Sequence, residues 1–235
     1  MQADGTQFFP AQEILVHEGQ TIGRIAGLGR VGDGTCSLPV FTCMGQGMLA
    51  MGVGHGSSLH PEVRGGVTGR TGGRDMDWQS EIEDARRRIA GHARVTPVAR
   101  LEPGGFDVAV KLEQMQHTGS FKVRGAFNTL LSVDVPSAGV VAASGGNHGA
   151  AVAFAAARLG HPAHIFVPDV AGAAKIGLIE RAGATCHVIP GLYADALEAA
   201  QAHEAATGAM QIHAYDSVPT VAGQGTCFAE WEEQG

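Results

Sequence analysis

At 235 residues, with 44% hydrophobic and 17% charged side chains, the chain is long enough to bury a substantial core and reads as globular. A net charge of −7 excludes a nucleic-acid or anionic-membrane surface, which would need an excess of lysine and arginine. Cys36, Cys43, Cys186 and Cys227 have neither the density of a disulfide scaffold nor C-x-x-C zinc spacing, so free thiols of a reducing, cytoplasmic compartment are expected, and no metal site.

Residues 1–75 hold nearly half of the 35 glycines, no lysine and no sustained period of 3.6 or 2. The fragments from Gly23 to Gly73 read as too short to pack as helices or strands, so 1–75 is expected to be an irregular extension. Met1 to Gln20 carries acidic residues where a signal peptide carries basic ones. Gly34 to Pro61 has no Asp, Glu, Lys or Arg, but Pro39, Gln46 and glycines interrupt the apolar run of about 20 residues that spanning a membrane requires. Gly27 to Gly32 fits G-x-G-x-x-G. The dinucleotide reading needs a helix next, and Gly32-Asp33-Gly34-Thr35-Cys36-Ser37-Leu38-Pro39 cannot form one. The change of character at Met76 reads as a natural start.

From there the pattern is regular. A helix is expected near 78–92, acidic first and basic last, with Ile82, Ala85 and Ile89 on one face. Thr96-Pro97 is a break, and Asp107 to Leu112 alternates as a strand. A helix follows over 120–132, a buried strand over 139–143, and an alanine-rich helix over 147–159 closed by Gly160. Strands at 164–167, 186–189 and 210–213 alternate with helices at 171–182 and 193–207, and a last helix starts at Thr220. Strands alternating with helices through short Gly or Pro connections predict an α/β fold with a parallel sheet and flanking helices.

Two loops fall at strand ends, where open parallel sheets collect their ligands. Ser144-Gly145-Gly146-Asn147-His148-Gly149 joins the 139–143 strand to the next helix. Its small residues let backbone N–H groups converge on an anion at a helix N-terminus, and Asn147 can aim its amide into the pocket; an ordinary turn capped by Asn147 is the other reading. His117-Thr118-Gly119-Ser120-Phe121-Lys122-Val123-Arg124-Gly125-Ala126 follows the 107–112 strand. With Ser120 as N-cap, Lys122 stands in the first helical turn, where desolvation and the helix dipole favour the neutral amine of a carbonyl-attacking nucleophile. A solvated surface lysine is the alternative.

These two motifs, with His213-Ala214-Tyr215-Asp216 and Val221-Ala222-Gly223-Gln224-Gly225-Thr226, resemble the fold-type II (tryptophan synthase β-like) pyridoxal-phosphate enzymes, in the threonine/serine dehydratase and serine racemase branch. The resemblance covers about residues 78–235. It implies that pyridoxal 5'-phosphate is bound by Phe121, Lys122 and Asn147: Phe121 packing on the ring, Lys122 bonding to the aldehyde and then serving as base, Asn147 bonding the 3′-oxygen. The turn Ser144, Gly145, Gly146, Asn147, His148 would hold the carboxylate of a small amino-acid substrate. The implied reaction is β-elimination from L-threonine or L-serine to a 2-oxo acid and ammonia; a non-catalytic fragment and a racemase are the alternatives. His148, Arg124 and Asp216 read as structural. In the racemases resembled, a serine stands immediately before Gly-Asn-His and protonates the second face; Gly145 has no proton to give, which favours dehydration.

The resemblance also implies a glycine-rich phosphate loop that the chain does not contain, so a fragment with weak cofactor binding is expected. It places 76–124 and 218–235 in a partial large cofactor domain and 125–217 in a small α/β domain, and it is compatible with a homodimer.

Overall fold

The computed structural model describes residues 42–44, 48–51, 76–101 and 108–234. The G-x-G-x-x-G stretch and most of the glycine-rich extension lie outside the described residues. The described elements fall into two compact units.

One unit is an antiparallel sheet in the order β1-β2-β4-β3, built from β1 (Thr42–Met44), β2 (Met48–Met51), β3 (Val98–Leu101) and β4 (Val108–Lys111). It departs from the sequence reading three times. The strand expected at 107–112 is present as β4, but it pairs antiparallel and takes no part in the parallel sheet. β3 follows Thr96-Pro97, where only a break was expected. β1 and β2 lie inside the segment expected to be irregular. Short strands like these are set by the hydrogen bonds of the sheet they join, β1 to β2 and both β2 and β3 to β4, and no local period reports that pairing.

The second unit holds α1 (Trp78–Ile89), α2 (Lys122–Leu131), β5 (Val140–Ala143), α3 (Asn147–Leu159), β6 (Ala163–Pro168), α4 (Ala173–Arg181), β7 (Thr185–Ile189), α5 (Tyr193–Thr207), β8 (Met210–Gln211) and α6 (Val218–Gln234). Its sheet runs β7-β6-β5-β8, every pair parallel, as the alternation of strands and helices predicts. β5 is buried on both faces. Val140 and Ala142 pack with side chains of α2 and α3, while Val141 and Ala143 pack with Ala196 and Ala200 of α5. That two-sided burial is why the strand reads as a continuous apolar run. Each valine or isoleucine so buried contributes about 1.5–3 kcal/mol.

Asp77 caps α1 by accepting from the Ser80 backbone N–H at 3.2 Å. α3 and α5 end at Gly160 and Gly208, both left-handed (φ 80° and 74°). Parallel strands put all their carboxyl ends on one edge, so the loops following Ala143, Pro168, Ile189 and Gln211 share that edge.

Candidate active site

Lys122 is the first residue of α2 and is 9% exposed. Ser120, expected to cap this helix, does not. Phe121 occupies the cap position in helical geometry, and the Ser120 Oγ is buried without a hydrogen-bond partner. The helix therefore starts one residue later than a Ser120 cap would give, leaving Lys122 at the amino end where unpaired N–H groups create positive potential. The Lys122 Nζ donates to the Ala214 carbonyl at 3.0 Å and sits 5.3 Å from the centre of the Phe121 ring.

The second loop is shaped by close packing. Ser144 donates its N–H to the Phe166 carbonyl at 2.9 Å, and its Oγ accepts from the Gly146 N–H at 3.1 Å. A Cβ on Gly145 would lie 2.5 Å from the Ala171 Cβ, and a Cβ on Gly149 2.6 Å from the Ser144 carbonyl oxygen. Gly146 instead opens on free space, with nothing within 4 Å of where its Cβ would stand. Gly146 caps α3, so Asn147 is its first helical residue, and it is exposed.

His148 turns the other way. It is buried, and its Nε2 meets the Ile212 carbonyl at 3.0 Å. Burial pushes its pKa down to about 4 against the opposing effect of that carbonyl, and the nearby Lys122 charge pushes in the same direction as burial. The ring is neutral at pH 7 and serves as a brace.

The two loops thus meet on one short segment. Ile212 is tied to β5 through its N–H on the Val141 carbonyl (2.9 Å); its own carbonyl takes His148, and the Ala214 carbonyl takes Lys122 and Gln224 Nε2. The sequence reading included His213 to Asp216 in its motifs but assigned the segment no positioning role. Its location just past a strand's carboxyl end was the signal available.

Also missed were the partners of Arg124. Its guanidinium makes two bonds to Glu113 (2.8 and 2.9 Å), two to Glu230 (2.9 and 3.0 Å) and one to the Arg94 carbonyl. Burial works against the charge, yet the hydrogen bonds Arg124 donates to Glu113 and Glu230 outweigh it and raise the Arg124 pKa. The network fixes the first turn of α2, and so Lys122, against α6. On the α5 side of the same segment lies a cavity of about 320 Å³, lined by Ala143, Tyr193, Leu197, Gln211, His213 and Tyr215 among others.

Residues 89–235 match the family model described as pyridoxal-phosphate dependent enzyme. The chain belongs to this family. L-threonine ammonia-lyase of Thermotoga maritima is 38% identical over 156 residues, which are 64% of this chain and 39% of that protein. Phenylserine dehydratase of Ralstonia pickettii is 37% identical over 161 residues, covering 66% of this chain and 49% of that protein. The solved structure of maize serine racemase has a TM-score of 0.63 at 36% identity and covers 66% of this chain and 49% of that one. The chain therefore spans half or less of the length of these relatives.

Pyridoxal phosphate is the cofactor of this family, and the residues present fit it. Two buried hydroxyls in the residues just before Lys122, Ser120 Oγ and Thr118 Oγ1, have no hydrogen-bond partner in the protein. Such orphans cost about 1–3 kcal/mol each unless something bonds them. Gly146 leaves clear space at the amino end of α3, and Asn147 stands exposed beside it. Among the described residues no helix is long and apolar enough to cross a membrane.

Proposed function

We propose that this chain carries the lysine and asparagine-loop part of an ammonia-lyase acting on L-threonine, L-serine or a related β-hydroxy amino acid, with release of a 2-oxo acid and ammonia. One observation carries the reading. Lys122 and His148, from the two motifs, are held by carbonyls two residues apart, Ala214 and Ile212. In this reading a buried amine and an anion-binding helix end share one site.

In this reading Phe121, Lys122 and Asn147 hold the cofactor, which when bound supplies an electron sink for the substrate's Cα electrons. The N–H groups around Ser144 to His148, at the positive end of α3, take the substrate carboxylate. The Lys122 amine removes the Cα proton; its hydrogen bond to the neutral Ala214 carbonyl is compatible with that role. His148 stays neutral and braces the loop. Elimination is favoured over racemisation because Gly145 offers no acid on the opposite face, and Ala171 fills the space a side chain there would need. The relatives include enzymes named for threonine, phenylserine and serine, which supports the hydroxy-amino-acid class. We assign 76–124 and 218–235 to a larger cofactor domain and 125–217 to a smaller one.

The test compares wild type with Lys122→Ala. Because weak cofactor binding is expected, wild type with a large excess of pyridoxal phosphate should show more of the absorbance band of lysine-bound cofactor and more 2-oxo acid from L-threonine or L-serine than the variant, which should show neither. Equal behaviour of the two proteins would support an inert fragment.

A further inference from the structure

Away from the lysine site, three imidazoles gather where α5 lies on the parallel sheet. His164 is on β6, His187 on β7 and His203 on α5, all half-buried. His164 Nδ1 and His187 Nε2 are 3.1 Å apart, a hydrogen bond that needs at least one ring to present a bare nitrogen. The His203 ring centre lies 4.4 Å from that of His164 and 5.9 Å from that of His187. Phe166 completes the group, stacked on His187 at 4.4 Å and 5.5 Å from His203.

We propose that His164, His187 and His203 form an acid-released fastening, which holds α5 on the sheet while the rings are neutral and lets it lift when they are protonated. The argument starts with what else holds α5. Its fully buried residues, Ala196 and Ala200, are both alanines, which offer little apolar area. The ring cluster joins Ala196, Leu197, Ala199 and Ala200 in holding the helix on the sheet.

The charged groups around the cluster do not soften its protonation. β5 presents Val141 and Ala143 on this face, and β6 adds Phe166. Of the α5 carboxylates, Asp195 is engaged with the Leu192 N–H at 2.7 Å, Glu198 is exposed, and Glu204 follows His203 along the helix. Glu180 acts on Cys186, whose side chain packs on the opposite face of β7. The charges felt by His164 are those of His203 and His187, and the charge felt by His187 is that of His203. Among the described residues no group of three such side chains is placed to hold a metal ion.

Burial, then the neighbouring rings, lowers the pKa of both His164 and His187 below the ordinary histidine value. The sign follows directly. Groups that prefer to be neutral in the folded state stabilise it fully above their unfolded pKa of about 6.5, and that stability is lost as the pH falls below it. Two adjacent imidazolium ions cannot share a hydrogen bond, and a third lies within stacking distance. Lifting α5 would remove Tyr193, Leu197 and Gln201 from the wall of the cavity behind Ile212 to Ala214. Acid would therefore loosen the surroundings of the segment that holds Lys122.

Amide hydrogen exchange on the full chain, corrected for intrinsic rates, tests this. Between about pH 7 and about pH 5, peptides of residues 196–207 should lose roughly tenfold more protection than peptides of 150–159 in α3. The His148 ring at the start of α3 stays neutral in the folded protein across that window, and the global stability it loses there is shared by α5 and α3 and cancels in their difference. In a His187→Gln, His203→Gln double variant the extra loss should fall below about twofold. Parallel loss from α5 and α3, or an unchanged difference in the variant, would overturn the proposal. Should the variant not fold, imidazole resonances of the wild type decide. Depressed, mutually dependent titrations support the fastening, and three independent transitions near the ordinary value of about 6.5 refute it.

Discussion

Gly125 of α2 and Gly223 of α6 meet backbone to backbone. A Cβ on Gly223 would lie 2.8 Å from the Gly125 Cα and 2.8 Å from the Arg124 carbonyl oxygen. A backbone neighbour cannot rotate away as a side chain can. Gly223→Ala is therefore expected to cost about 1–3 kcal/mol through overpacking. Gly225→Ala, which would press only on the Ile82 side chain, should cost less. Urea denaturation of the two variants checks the ranking.

Arg124 is the hub that keeps α2 in place. Cutting it to alanine leaves the fully buried Glu113 and the largely buried Glu230 without their cation. An uncompensated buried charge pair of this kind costs about 3–5 kcal/mol. Arg124→Ala should thus lower the melting temperature sharply, with Glu113→Gln less damaging because the amide keeps hydrogen-bonding atoms. Thermal unfolding followed by circular dichroism measures both.

Adjacent glycines in the asparagine loop should respond differently. Gly145→Ser pushes a Cβ against Ala171 and is expected to destabilise by about 1–3 kcal/mol, with an added Ala171→Gly restoring part of the loss. Gly146→Ala enters open space at φ −134°, so stability should stay within about 0.5 kcal/mol of wild type. If that space belongs to the ligand, Gly146→Ala should nonetheless weaken cofactor or substrate binding. Denaturation and cofactor titration of the same samples separate the two effects.

His148 sets part of the acid limit. Its pKa of about 4 lies below an unfolded value of about 6.5, so its contribution is complete above about pH 6.5 and drains away as the pH falls toward 4. The linked stability is about 3 kcal/mol at most. A His148→Gln variant should start less stable at pH 7 and lose less than wild type between pH 6.5 and 4. Stability curves at successive pH values show whether the difference narrows.

Much of this was legible because it is local. The parallel unit announces itself in apolar runs such as Val140 to Ala143, in the alanine-rich helix ended by Gly160, and in the two loops at strand ends. The sheet containing β1 to β4 does not, since three- and four-residue strands owe their existence to the strands they pair with, and the pairing that unites this sheet sets Leu49 opposite Lys111. The cap of α2 misled for a related reason. Ser120 has the right chemistry for a cap, but its hydroxyl is buried and bonds no backbone N–H.

The amino-acid sequence by itself determined the α/β alternation and the two motifs, because periodicity and loop chemistry are properties of neighbouring residues; the cofactor class followed from the resemblance of those motifs to a known family. Only the tertiary structure decided that Ile212 and Ala214 hold the two motifs together, that Glu113 and Glu230 are the partners of Arg124, and that three histidines from separate elements share one cluster. Those contacts join residues between 11 and 106 positions apart. Packing selects such pairs, and nothing in the local pattern encodes them.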